Sequence, residues 1–217
     1  MVERLQEPRR GATFVDLDGT LLRGNSLKFF MRRLPLMLLK RRAPGASLLA
    51  MWWMGWRALR VVGHANMKWH VTRLAVRHFT PDDWDALARG MAARVNATVM
   101  QYVESPSRSG CARYIATAAP VEYALPLSRQ LGLDGAVATS FADSRKDYEE
   151  TRGLAKLEAI RQLLDENDYR LESFLTDHFD DIPTARAYPR LTVLVNPDRK
   201  MQAIFRNVGV TRYLMGK

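Results

Sequence analysis

The stretch TFVDLDGTLLRGNS, residues 13–26, closes a short apolar run on two aspartates separated by one leucine. A carboxylate is costly to bury unless it is paired or binds a metal ion. Asp16 and Asp18 therefore mark a strand running out at the edge of a site, and the Asp-Gly pair that follows is a turn signal. A chain with this feature must supply a sheet that puts the strand end at a ligand, and partners that make the two charges tolerable.

The rest of the sequence supplies the sheet. ATFVDLD (12–18) reads as a first buried strand, ARYIATAA (112–119) as a second, GAVATSF (135–141) as a third, SFLTD (173–177) and LTVLVN (191–196) as the last two. Helical segments alternate with them. PVEYALPLSRQLG ends at Gly132, and a periodic helix carries Leu154, Leu157, Ile160, Leu163 and Leu164 on one face. Such alternation predicts an α/β fold with a mainly parallel five-stranded sheet covered on both sides. Ligands of open parallel sheets sit beyond the carboxyl ends of the strands, which is where the two aspartates fall.

One long interval breaks the alternation. From Asn25 to Glu104 the chain has 13 Lys or Arg against 4 Asp or Glu, a balance of +9 that accounts for nearly all of the +10 of the whole chain. SLKFFMRRLPLMLLKRR and SLLAMWWMGWRALRVV read as helical. TPDDWDALARGMAARVNATVMQYVES opens on Thr80 as a helix N-cap, with Pro81 in the first turn and Asp82 and Asp83 at the positive dipole end. This composition boundary predicts an all-helical module, 25–105, inserted into a core made of 1–24 and 106–217. MVERLQEPRRG reads as a disordered lead-in. Cys111 is the sole cysteine, so no internal disulfide is possible, and it reads as a small core residue in a protein of a reducing, cytoplasmic compartment.

Four polar features fall at or just after predicted strand ends or helix starts: Asp16 with Asp18, Thr117, Lys156, and Asp177 with Asp181 in TDHFDDIP. Carboxylate oxygens suit Mg²⁺. A lysine and a hydroxyl suit the orientation and neutralisation of phosphoryl oxygens. One carboxylate can attack phosphorus and split a hard step in two. Taken singly, Lys156 reads as a solvated helix residue and Thr117 says little; their order along the chain gives them weight.

In that order the four features resemble the motifs of the haloacid dehalogenase (HAD) superfamily of phosphatases: DLDGT the first, the strand ending at Thr117 the second, RGLAK with Lys156 the third, TDHFDDIP the fourth. The helical insert between the first two is similar to the C1 cap of the phosphoserine-phosphatase-like branch (subfamily IB), and NPDRK (196–200) also resembles that branch. The resemblance implies a Rossmann-like core and assigns roles. Asp16 would be the nucleophile and a Mg²⁺ ligand. Asp18 would be the general acid and base, with its main-chain carbonyl on the metal. Thr117 and Lys156 would hold the phosphoryl group, with Gly19 letting the backbone turn around it and Thr20 bracing the loop. Asp177 would ligate Mg²⁺, with Asp181 supporting. Asp180 competes with Asp181 for that supporting role, and the spacing favours Asp181.

The expected activity is that of a Mg²⁺-dependent phosphomonoesterase acting through an aspartyl-phosphate. LLRGNSLKFF lacks the glutamate that phosphoserine phosphatases carry soon after the first motif, which argues against phosphoserine as substrate. Asn25 and Ser26 are candidate substrate contacts by proximity. Within the insert, LLAMWWMGW (48–56) is bracketed by Lys40, Arg41 and Arg42 before it and Arg57 and Arg60 after it. That stretch reads either as a helix face packed on the core or as a peripheral contact with an anionic membrane at its inner face. The second reading favours an anionic or lipid phosphate ester, the first a small soluble one. Nucleic acid is disfavoured because the aromatics cluster with aliphatics rather than interleaving with the basic residues. His64, His70 and His78 lack metal-ligand spacing and read as packing or surface residues. A catalytically idle membrane- or nucleic-acid-binding module would lack one of the catalytic groups, and none is missing. A phosphotransferase passing the aspartyl-phosphate to an alcohol would carry the same residues.

Overall fold

The computed structural model describes residues 9–105, 108 and 110–216. Most of the lead-in lies outside the described residues. Among those described, six strands form one sheet in the order β3-β2-β1-β4-β5-β6, every neighbouring pair parallel. They are β1 (Arg10–Val15), β2 (Ala112–Pro120), β3 (Gly135–Thr139), β4 (Tyr169–Thr176), β5 (Thr192–Val195) and β6 (Arg212–Leu214). The fold class is as expected, with one more strand than the five read from sequence. The extra one is the edge strand β6, three residues long and nowhere fully buried, so it has no apolar run to betray it.

β1 is central because both of its faces are covered. Phe14 packs with Ala116, Ile160 and Phe174 on one side of the sheet, while Val15 packs with Ile115 and Leu175 on the other. The chain lays β2 and β3 on one side of β1 and then crosses to β4 on the other. The crevice at the carboxyl end of β1 thus lies where the strand order reverses, the standard ligand position in such sheets.

Five helices fill the interval between β1 and β2: α1 (Ser26–Lys40), α2 (Pro44–Ala58), α3 (His64–His78), α4 (Pro81–Ala92) and α5 (Ala97–Val103). The last two replace what the sequence suggests as a single helix. The chain breaks at Asn96, whose side chain caps α5 by accepting from Thr98 N at 3.2 Å. The Asn96 backbone N–H donates instead to Leu21 O at 2.8 Å. The break therefore braces the loop that follows the two aspartates. At α4 the expected cap is present, with Thr80 N donating to Asp83 Oδ2 at 2.9 Å.

The helices and the sheet share one apolar cluster. It runs from Val15, Ile115 and Leu175 through Phe30, Leu34 and Tyr123 to Met91. After β2 come α6 (Val121–Gln130), α7 (Leu154–Glu166), α8 (Ile182–Ala187) and α9 (Arg199–Arg206). On α7 the buried face is Lys156, Leu157, Ile160 and Leu164. Leu154, expected on that face, is exposed in the first turn, and a lysine takes the inward position one turn before Ile160. Cys111 is only partly buried.

Candidate active site

The loop after β1 is held before any side chain acts. Asp16 N donates to Leu175 O at 2.9 Å, which extends the β1–β4 ladder by one residue. Leu21 N returns to Asp16 O at 3.1 Å, and Gly19 N reaches Leu22 O and Gly24 O at 3.0 and 3.1 Å. Gly19 has φ +82, and a Cβ there would collide with Asp177 Oδ2. Only glycine allows the loop to turn with the Asp177 carboxylate packed against its backbone. Thr20 Oγ1 donates to Asp177 Oδ1 at 2.8 Å, so the expected bracing residue fixes that same carboxylate.

Lys156 Nζ stands between two acids, 2.8 Å from Asp16 Oδ1 and 2.7 Å from Asp181 Oδ1. Asp181 Oδ2 accepts from Thr176 Oγ1 at 2.6 Å, so both of its oxygens are engaged. Asp180 turns away to Arg152 at 2.9 Å. Burial alone would push the Lys156 ammonium down, but Asp16 and Asp181 outweigh it and hold its pKa above the usual lysine value. Burial pushes the Asp16 carboxyl up to about 7, against the pull of Lys156 and with Asp181 and Asp177 adding to the rise.

Asp18 is held from the helical side. Ser26 N donates to its Oδ1 at 2.6 Å and Ser26 Oγ lies 3.1 Å from Oδ2. Ser26 Oγ is in turn 3.3 Å from the Tyr123 hydroxyl. Burial raises the pKa of Asp18, and the two Ser26 hydrogen bonds oppose it. Burial likewise raises that of Asp177, opposed by Thr20.

A cavity of about 240 Å³ opens over these groups, lined among others by Asp16, Asp18, Asn25, Thr117, Lys156 and Asp181. Thr117 is buried at a register shift in β2, its Oγ1 accepting from Ala119 N at 3.0 Å. Gly19, Ser26 and Asp177 do not line it: Ser26 is buried and holds Asp18, and Asp177 lies against the exposed Gly19 turn. Sequence reasoning missed the opposite wall. Lys68 of α3 reaches across, fully buried, and its Nζ donates to Ala118 O and to Glu150 Oε1. Ala118 O also accepts from Thr139 Oγ1 at 2.7 Å, so the backbone beside Thr117 is fixed from two directions. His64 and Arg152 complete this wall.

A model of the haloacid dehalogenase-like hydrolase family matches residues 13–186, a span that contains every one of these groups. The chain belongs to that family. No curated protein matches it. Among solved structures, it is similar over 95% of its length to 99% of a protein of unknown function from Bordetella pertussis Tohama I, at 17% identity and TM-score 0.69. A phospho-aspartyl intermediate analogue of phosphoserine phosphatase aligns at 12% identity and TM-score 0.58, with 95% of this chain and 94% of that one covered. A phosphoserine phosphohydrolase-like protein from Francisella tularensis aligns at 13% and 0.51, with 94% of each covered. These likenesses establish a shared fold.

HAD enzymes of this type imply a divalent cation, and the residues fit one. Burial raises the pKa values of Asp16, Asp18 and Asp177, and a bound cation would favour their charged forms. The available donors are all oxygens. Among the described residues no three acidic, histidine or cysteine side chains form a ready-made metal cluster. Oxygen donors are what Mg²⁺ takes, with one or two carboxylates and several waters.

Proposed function

We propose that the protein is a Mg²⁺-dependent phosphomonoesterase that works through an aspartyl-phosphate on Asp16. The observation that carries the reading is the buried Asp181–Lys156–Asp16 chain at the cavity floor with Asp18 two residues from Asp16. Mg²⁺ would be held by the carboxylates of Asp16 and Asp177 and the Asp18 main-chain carbonyl, with Asp181 supporting through Lys156. When bound, it supplies charge neutralisation to the phosphoryl oxygens and keeps Asp16 ionised.

Asp16 attacks phosphorus, and the bond to the ester oxygen breaks with its electron pair leaving on that oxygen. Asp18 donates the proton that converts the departing alkoxide to an alcohol. Its raised pKa, set by burial, suits a carboxyl that must arrive protonated. Asp18 then takes a proton from water, whose oxygen attacks phosphorus, and the bond to Asp16 breaks to release phosphate. Ser26 Oγ can donate to the Asp18 carboxylate while accepting from Tyr123 O–H, or accept from the carboxyl while donating to the Tyr123 hydroxyl. Lys156 and Thr117 hold the transferring group.

The substrate is a phosphorylated small molecule or a lipid phosphate. The far side of the cavity carries Lys68 and Arg152 already paired with Glu150 and Asp180, beside His64, so it offers hydrogen-bonding groups to an ester rather than free positive charge. The test is phosphate release with Mg²⁺ from an aryl phosphate, phosphoserine, a sugar phosphate and a detergent-dispersed lipid phosphate. Release that EDTA and Asp16→Asn both abolish supports the reading. Silence across the panel together with no Mg²⁺ binding by calorimetry would instead leave an idle module. A phosphorylated alcohol accumulating when an acceptor is added would make the enzyme a phosphotransferase.

A further inference from the structure

α2 is an amphipathic helix turned inside out. Its inward side presents Ser47 and Ala50, both fully buried, while Leu48, Met51, Trp52, Trp56 and Leu59 face solvent. Those five follow helical spacing for a single face (i, i+3, i+4, i+8, i+11), so they form one stripe rather than scattered exposure. Leu48 is 64% exposed and Trp52 44%. Among the described residues thirteen large apolar side chains are exposed, and nine of them lie between Leu36 and Val61. Leu36 and Leu39 extend the apolar surface onto α1, against which α2 packs. The stripe is built rather than loose: the Trp52 ring lies 4.7 Å from Trp56 and 4.8 Å from Trp53, and Trp53 stacks on His70 of α3 at 3.5 Å.

The rim of this surface is positive and unanswered by its own segment. Lys40 and Arg42 stand exposed before α2 and Arg60 after it, while from Gly19 to Pro81 the chain has no Asp or Glu at all. The first acids beyond, Asp82, Asp83 and Asp85, belong to α4, and Asp83 is bonded to Arg41. α2 is about 22 Å long at 1.5 Å per residue, short of the roughly 30 Å of a bilayer core. Among the described residues no helix is long and apolar enough to cross a membrane.

We infer that the α2 face docks flat on the surface of an anionic lipid bilayer. Charge complementarity selects that occupant. A second copy of the chain meeting this face isologously would bring the same basic rim against itself. A bilayer offers apolar depth under the stripe, an interfacial layer suited to indole rings, and anionic headgroups for the rim. The proposal concerns a surface separate from the cavity and does not rest on the reaction assigned there.

The experiment is co-sedimentation of the full chain with vesicles of phosphatidylcholine alone and with phosphatidylglycerol added, read together with tryptophan emission. The expected result is binding to the phosphatidylglycerol vesicles, a blue shift on binding, and release at high salt. Trp52→Ser combined with Trp56→Ser should weaken binding by about tenfold or more, and Arg42→Glu combined with Arg60→Glu should abolish it. Both double variants should keep the wild-type circular dichroism spectrum and the same turnover of a soluble aryl phosphate, because all four side chains are at the surface. Equal binding to both vesicle types, binding to neither, a concentration-dependent dimer lost with the two tryptophans, or preferential binding of RNA would each overturn the proposal.

Discussion

Lys68 and Glu150 tie the inserted helices to the core through one buried ion pair, so removing both partners should cost less than the sum of the two single removals. Lys68 comes from α3 and Glu150 from the segment after β3, with side chains 4% and 10% exposed. At an effective dielectric near 20, two unit charges in contact gain roughly 4 to 6 kcal/mol, and desolvation returns several of those. Lys68→Met leaves Glu150 with Arg152, 3.8 Å away, as its nearest remaining cation. It also strips a donor from Ala118 O. Deleting one partner of such a pair costs about 3–5 kcal/mol. For a chain of this size that lowers the melting temperature by about 6–15 °C. Lys68→Met combined with Glu150→Gln removes both buried charges and should be less unstable than the sum of the single changes by about 2 kcal/mol or more. Urea unfolding of the wild type, both single variants and the double variant measures the coupling. Additivity within about 0.5 kcal/mol would refute the idea that this pair holds the two parts of the molecule together.

Four further outcomes follow from the cavity floor and the loop beside it. Asp16→Asn should lower kcat by about 10⁴-fold or more while leaving the fold intact, because in the proposed mechanism it removes the nucleophile from a set that acts as a unit; circular dichroism and steady-state kinetics check it. The Asp16 carboxyl is raised in the fold to about 7 from 3.8, so the folded state holds the extra proton between those values. In EDTA that contribution to stability is complete below pH 4 and lost as pH rises through 7, on the order of 4 kcal/mol at most; thermal melts across this window should show the loss, and Asp16→Asn should flatten it. With Mg²⁺ the acid limb of the rate profile should move to lower pH as the ion concentration increases, and a limb that stays fixed would remove Asp16 from the ligand set. Gly19→Ala meets both a positive φ and the Asp177 carboxylate, so it should cost about 1–3 kcal/mol of stability and weaken Mg²⁺ binding, read by calorimetry.

The sheet and its active-site edge were legible because their signals are local. Apolar runs ending in DLDGT and FLTD mark β1 and β4; β4 ends one residue before the expected Asp177, and β1 ends at Val15, three residues before the expected Asp18. What escaped depends on contacts remote in sequence. β6 exists only because Val193, Leu194 and Val195 offer it an edge to pair with. Lys68 lies 82 residues from Glu150, and nothing near either residue announces the other. A signal was nonetheless present. Lys68 shares a face with Val71, Thr72 and Ala75, as Lys156 does with Ile160 and Leu164, and all of these are buried. A lysine at helical spacing with an apolar stripe must either extend out past it or meet an acid, and both of these meet acids. The outward stripe of α2 was visible as composition, but which side of the helix met the core was not, since the segment is apolar on nearly every side.

The basic excess of the inserted helices therefore divides by depth. Lys68 lies under the module, neutralised by Glu150, with its nearest carbonyl one residue from Thr117. Lys40, Arg42 and Arg60 lie outside it with no acid in their own segment. Packing joins the two sets, because Trp53 of α2 stacks on His70 of α3, two residues from Lys68. The outer helix is thus one ring stack away from the helix that holds the Ala118 carbonyl, beside Thr117. Charge inside and charge outside serve different contacts, and a short aromatic path connects them.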